Sequence, residues 1–244
     1  MRLRYLAVSL AVATCSLAMT ASTAFAAGAF VTVRVEGATR TIFEGPVLVE
    51  GRTITTETGG THECNGTNNK AYPSSVPVPT AALADAAYLG RYYPSYGGFT
   101  FNAEWDPQYE DFFITRIAET TETSTEFWAI AVNDQLIPVG GCQFQLHNFD
   151  EVLFTLYGFN EEPFLKLTGP PIAISGRPIT VKVTNGSNGE PIAGAVVAPA
   201  GSTAGAETNS NGEATVTFNH PGLTRLKASK PGSVRSNGLI VADL

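Results

Sequence analysis

The strongest constraint on this chain is a two-residue hydrophobic period that keeps returning once the first two dozen residues are passed. Val31, Val33 and Val35 alternate with Thr32, Arg34 and Glu36. Ile179, Val181 and Val183 alternate with Thr180, Lys182 and Thr184, and Ala214, Val216 and Phe218 alternate with Glu213, Thr215 and Thr217. Successive side chains of a strand point to opposite faces, so each run is a strand with one apolar and one polar face. Further strand signals fall at Thr41 to Phe43, Val47 to Val49, Glu126 to Val132, Glu151 to Tyr157, Pro191 to Val197, Leu223 to Ala228 and Leu239 to Val241. Asn133-Asp134 and Asn211-Gly212 mark turns. A helical pattern emerges once, from Thr80 to Leu89, where alanine is dense, Thr80 is placed to cap and Asp85 lies on the polar side. The expected fold class is mostly β.

The pattern divides at Leu167-Thr168-Gly169-Pro170-Pro171, read as a joint between residues 28–166 and 167–244. Before it the chain is acidic and aromatic; after it Phe218 is the only aromatic residue. Residues 167–244 carry six basic and four acidic side chains, residues 28–166 seven and eighteen, within a chain total of −7. An acidic surface repels phosphate backbones, so nucleic acid is not expected as a partner. With 43% apolar and 15% charged residues the chain has enough to build a core, unlike a disordered segment.

Residues 1–26 read as a cleavable signal peptide: Arg2 and Arg4, an apolar run from Leu6, then Ala24-Phe25-Ala26 as a small-x-small cleavage site. Thr14, Ser16, Thr20, Ser22 and Thr23 interrupt the run, so it falls short of the ~20 apolar residues that span a bilayer. Cys15 follows Thr14, where a lipidation signal wants a smaller residue. A secreted, extracellular protein with no membrane span after cleavage is therefore expected. Cys64 and Cys142 remain, and an even count in an exported chain suggests one disulfide, with two free buried thiols as the alternative. Two cysteines are too few for structural zinc, and no metal site is expected.

Candidate ligand contacts come from an aromatic stretch running from Tyr88 to Phe113 and broken by Pro94, Gly97 and Gly98. Phe99, Phe101, Phe112 and Phe113 are read as core. Tyr92, Tyr93, Tyr96 and Trp105 are the residues to line a pocket, if the stretch forms one, since aromatic rings stack on sugars or apolar ligands. Trp128 is read first as core and second as a ligand platform. Glu104, Asp106, Glu110 and Asp111 lie among these rings. Paired carboxylates serve glycoside hydrolysis at the right separation, but a solvated acidic loop is the favoured reading, and their spacing fits no calcium loop. His62, His147 and His220 are scattered, and no nucleophile elbow, zinc-protease, Walker or dinucleotide motif is present. No catalytic residue and no cofactor is assigned.

Two resemblances sharpen this reading. Gly189-Glu190-Pro191-Ile192-Ala193-Gly194-Ala195-Val196-Val197, then Asn211-Gly212-Glu213-Ala214-Thr215-Val216 and Pro221-Gly222, resembles bacterial immunoglobulin-like domains related to carboxypeptidase regulatory modules, over roughly residues 170–244. That implies an immunoglobulin-like β-sandwich used as spacer, platform or adhesive module. Phe127-Trp128-Ala129-Ile130-Ala131-Val132-Asn133-Asp134, Gly140-Gly141-Cys142-Gln143-Phe144-Gln145-Leu146 and Asp150-Glu151-Val152-Leu153-Phe154 resemble the transcobalamin-like C-terminal domain family, over roughly residues 29–160. That implies an α+β, β-grasp-like sheet with one helix. Asp134 stands where the family's turn has Gly, Phe149 where Gly is usual and Phe154 where Trp is usual. The function expected is non-enzymatic binding or adhesion outside the cell, with a small molecule, glycan or surface protein as partner. The alternatives are a carrier of a cobalamin-like or other apolar small molecule and, more weakly, a glycan hydrolase.

Overall fold

The computed structural model describes residues 28–93, 98–158 and 163–244; the signal-peptide reading and Tyr96 lie outside them. In chain order the first part contains β1 (Ala29–Glu36), β2 (Thr41–Val49), β3 (Arg52–Thr56), β4 (Gly60–Cys64), α1 (Pro79–Tyr92), β5 (Phe101–Asp106), β6 (Asp111–Ile117), β7 (Thr120–Thr121), β8 (Glu126–Val132), β9 (Gln135–Leu136) and β10 (Glu151–Gly158). Five of these form one sheet in the order β2-β1-β10-β8-β9. β1 pairs antiparallel with β2 and parallel with β10, the crossover running through α1. Val31, Val33 and Val35 are all buried on the face that α1 covers, with Phe43, Val47, Val152 and Phe154 beside them. The fold is mostly β with a single α-helix among the described residues, the expected class.

Local expectations meet the structure unevenly. Thr41 to Phe43 and Val47 to Val49 are one strand, because Pro46 sits in an edge strand, where a missing N–H is tolerated. The helix starts one residue before the expected cap. Pro79 takes its first turn, where a preset φ favours it, and Val78 stands at the N-cap without a side-chain bond. Thr80 therefore does not cap. It is buried in the first turn, its N–H donates to the Gly141 carbonyl at 3.0 Å, and its hydroxyl has no partner among the described residues. Ala81, Ala82 and Ala86 bring the helix close to the sheet. Asn133 and Asp134 form the expected β8–β9 turn with φ of 52° and 62°, the left-handed pair that a tight hairpin needs.

The aromatic stretch begins in the last turns of α1 and then supplies the β5–β6 hairpin, extended by β7. Thr56 Oγ1 donates to the Ala103 carbonyl at 2.7 Å and joins the β3–β4 hairpin to it. A Cβ at Gly59 would stand 2.6 Å from that same carbonyl oxygen, so only glycine allows the approach. Cys64, at the end of β4, is bonded to Cys142 across 78 residues of sequence, both fully buried. In the chain-entropy picture a closed loop of that length contributes about 4 kcal/mol.

The second part is a two-sheet sandwich. β11 (Leu165–Thr168), β13 (Pro178–Asn185) and β16 (Glu213–Thr217) form one sheet. β12 (Ile172–Ala173), β18 (Leu239–Asp243), β17 (Gly222–Ser229), β14 (Val196–Pro199) and β15 (Ala206–Glu207) form the other. Leu165, Leu167, Val181 and Val183 from the first sheet meet Val197, Leu226, Ala228 and Val241 from the second in one buried core. The run Gly169-Pro170-Pro171, read as a joint, lies inside this sandwich: it carries the chain from β11 in one sheet to β12 in the other. Leu165 and Lys166, grouped by composition with the preceding segment, pair with Asn185 and Thr184 of β13. Among the described residues no helix is long and apolar enough to cross a membrane.

The sandwich docks on the face of the five-stranded sheet that α1 leaves open. Arg34 and Glu36, on the polar side of β1, are each only 1% exposed. Glu36 Oε1 accepts from Lys227 Nζ at 2.6 Å and Oε2 from Arg235 Nε at 2.8 Å, and the Thr41 hydroxyl donates to the same carboxylate. Arg34 Nε donates to Glu151 at 2.8 Å and its Nη1 to the Arg235 carbonyl at 2.5 Å. Asp134 accepts from Lys166 at 2.7 Å. Beside these charges Ala131, Leu153, Phe164 and Val234 form a small buried apolar cluster.

Candidate functional site

The residues singled out from sequence do not converge. Tyr92 and Tyr93 are exposed at the end of α1, and the Tyr92 ring lies 4.6 Å from that of Tyr88, one helical turn away. A hydrogen bond between the two hydroxyls raises the Tyr88 pKa. Trp105 stacks on His62 with ring centroids 4.0 Å apart and planes within 2°, and it meets Phe112 edge-on at 5.0 Å. Its indole thus packs between two hairpins. Trp128 is buried in the sheet's core at 5% exposure, its N–H without a partner among the described residues. Of the four phenylalanines read as core, Phe99 and Phe112 are buried and Phe101 is half-buried, while Phe113 is half exposed on the opposite face of β6.

The four carboxylates are engaged one by one. Asp106 Oδ1 accepts from the N–H groups of Gln108 and Tyr109 and caps its own turn. Glu110, at φ 51°, accepts from the Asn69 N–H at 2.6 Å. Glu104 is exposed on β5. Asp111 is buried behind the disulfide, where burial pushes its carboxyl up to about 6. Three donors oppose that shift: the N–H groups of Cys142 and Phe112 and the Gln143 side-chain amide. A Cβ on Gly140 would lie within 2.0 Å of Asp111 Oδ2, so a glycine seals this carboxylate in. No group of three or more metal-ligating side chains gathers among the described residues.

A larger concavity lies elsewhere, between the two parts of the molecule. It is a cleft of about 850 Å³, within the range of small-molecule sites. One wall is the tip of the β1–β2 hairpin, Thr39 to Glu44. The other is the β14–β15 loop, with Ser202 and Thr203, together with β17 and the segment that follows it. Arg40, Arg225, Lys227, Lys230 and Arg235 all line it. Lys227 and Arg235 form its inner side, fixed by Glu36; Glu44 accepts from Lys227 at 3.1 Å and from the Gly238 N–H at 2.5 Å. A second, shallower groove of about 290 Å³ runs between β3 and α1, lined by Ile54, Ala84, Ala87, Tyr88, Phe99 and Phe101. Sequence reasoning missed the cleft because its residues come from positions some 190 apart in the chain. The one signal for it was the basic Arg225-x-Lys227 face of a strand in an acidic protein.

A family described as a domain of unknown function, DUF4430, matches residues 100–157. The match covers about a quarter of the chain, from the start of the β5–β6 hairpin to β10, and stops short of the sandwich. No curated protein matches the chain.

Proposed function

We propose that this chain is a secreted, non-enzymatic binding protein whose ligand sits in the cleft between the β1–β2 hairpin and the sandwich. The observation that carries this reading is the construction of the cleft: both parts supply its walls, and buried ion pairs hold those walls in register. A preorganised site loses little conformational freedom on binding. Export is supported by Arg2, Arg4 and the Ala24-Phe25-Ala26 pattern, and the Cys64–Cys142 bond suits an oxidising compartment. The finer relationships belong to the same reading: residues 29–160 as a transcobalamin-like C-terminal domain, residues 170–244 as an immunoglobulin-like module serving as platform. The carboxylates of the β5–β6 hairpin support no hydrolytic mechanism, since each is engaged in a turn, exposed alone or sealed behind the disulfide.

The groove beside α1 favours a second reading, a carrier of an apolar small molecule, cobalamin-like ligands included. Its apolar lining and the exposed Tyr88–Tyr92 pair would supply contact area. Native mass spectrometry of the protein from its own host's medium, beside the same protein with Thr203→Trp, separates the two. Thr203 is exposed on the cleft wall, so tryptophan there fills the cleft and leaves both cores alone. The expected result is bound mass that the variant loses. Bound mass that persists in Thr203→Trp and disappears in Tyr88→Ala moves the site to the groove.

A further inference from the structure

Resting on the cleft as the binding site, we infer that its ligand is an anionic glycan, a sugar chain bearing carboxylate, phosphate or sulfate oxyanions. Among the described residues the five cations of the lining face three carboxylates, Glu36, Glu44 and Glu119, an excess of positive charge in a chain of net −7. One cation, Lys230, takes no part in joining the two parts, and a second, Arg225, joins them only through long contacts to Glu44, 3.4 Å to its carbonyl and 3.8 Å to its carboxylate. Lys230 is half-buried, yet its single hydrogen bond runs to the neutral Ala193 carbonyl at 2.8 Å, and no carboxylate among the described residues lies within 4.0 Å of it. Arg225 is 42% exposed, its nearest carboxylate being Glu44 at 3.8 Å. An ammonium without a counter-charge at the wall of a cleft draws an incoming anion.

The rest of the lining selects among anions. Thr39, Thr203, Ser229 and Ser233 offer hydroxyls that match sugar hydroxyls, while those of Thr41 and Ser202 are engaged by the Glu36 carboxylate and the Ala204 backbone. The only aromatic residue, Phe43, is 1% exposed and offers no stacking face. Recognition here runs through charge and hydrogen bonds, whereas a neutral glycan would want an exposed ring. Arg40, held by both oxygens of Glu119 at the mouth of the cleft, is a third cation that an incoming anion can recruit.

Equilibrium binding of the full mature chain to polygalacturonate, phosphomannan, dextran sulfate, neutral dextran and polyglutamate tests this. Tight binding to one or more of the first three and none to dextran is expected, and the preferred polymer identifies the oxyanion. About 0.5 M salt should abolish it, since exposed charges are screened within a few ångströms there. Arg225→Gln and Lys230→Gln should each weaken it by roughly fivefold or more, about 1 kcal/mol per charged contact. Lys230→Arg should restore most of the loss, and Glu119→Gln, by freeing Arg40, should tighten binding. Unchanged melting curves for the Gln variants exclude misfolding as the cause. Dextran bound as well as the charged polymers, and lost in Thr203→Trp, overturns the anionic assignment and leaves the cleft as the site. Polyglutamate bound as tightly as the best glycan overturns the sugar. Binding that survives both Thr203→Trp and the Arg225/Lys230 double variant overturns the cleft reading and this inference together.

Discussion

The two faces of β1 are built on opposite principles. On one, Val31, Val33 and Val35 are buried against α1, and what holds that face is volume: apolar surface removed from water and filled space. On the other, Arg34 and Glu36 are buried as deeply, and what holds that face is pairing. A volume-filled face tolerates small losses in proportion to the atoms removed. A charge-paired face tolerates no loss on one side alone, because the partner is left charged and dry. One eight-residue strand thus teaches that depth of burial does not decide the cost of a mutation; the kind of compensation does.

Glu36→Ala breaks the comparison most sharply. It leaves Arg235, 23% exposed, without its carboxylate and Lys227, 11% exposed, with Glu44 alone, at 3.1 Å. Breaking a buried pair from one side costs about 3–5 kcal/mol, and here the loss falls at the contact between the two parts. Urea denaturation should show that drop and a transition that splits in two, as the sandwich and the α+β part cease to unfold together. Val33→Ala, on the same strand, should lower stability with a single transition kept. If both variants unfold in one step with equal losses, pairing does not govern the outer face.

Asp111 sharpens the contrast, being a buried carboxylate with three N–H donors and no cation. Its carboxyl titrates at about 6 against an ordinary 3.8. Between those values the folded chain holds a proton that the unfolded chain has released, so this group's contribution to stability is greatest below pH 4. It falls as pH rises through about 6 and is flat above that. A rise of that size corresponds to roughly 3 kcal/mol. The stability of the native chain minus that of Asp111→Asn, measured by denaturation at pH 4, 5, 6 and 7, should fall by that order across the series. A constant difference would mean that the donors offset the burial completely.

How far the sequence foretells this depends on the same distinction. A period of two finds faces held by volume where the alternation is clean, which is why Val31 to Val35, Val181 and Val183 and Leu226 to Ala228 lie where expected. It is blind to faces held by pairing: Arg34 and Glu36 look like a solvated side until β17 and the segment after it, some 190 residues later, bring Lys227 and Arg235. The excess of acid in residues 28–166 beside the basic excess in residues 167–244 was the residue-level hint of that contact. The β5–β6 hairpin was hard to read for a related reason. Its two faces both mix rings and charges, Trp105 lying on His62 and Phe113 in solvent, so neither face is cleanly apolar. The Cys64–Cys142 bond was legible because arithmetic left no other pairing. Ring content alone does not separate the candidate ligand residues from core, because rings serve packing between hairpins, as at Trp105, as readily as they line a pocket.

The smallest expected effect closes the series and tests the other limit of the comparison. Arg40 and Glu119 form a bidentate ion pair: Nε to Oε1 at 2.8 Å and Nη2 to Oε2 at 2.9 Å, two parallel bonds. Arg40 draws the Glu119 carboxyl below its ordinary 4.5. Both side chains are more than half exposed, so water and salt screen what the geometry offers. The pair's contribution is present above the ordinary carboxylate range, is lost as pH falls through the lowered value, and should amount to under about 1 kcal/mol. Glu119→Gln should therefore shift the urea midpoint at pH 7 only slightly, and not at all in about 1 M salt, where Glu36→Ala keeps its full effect. A loss from Glu119→Gln as large as that from Glu36→Ala would mean that geometry, and not desolvation, sets the worth of charge pairs in this fold.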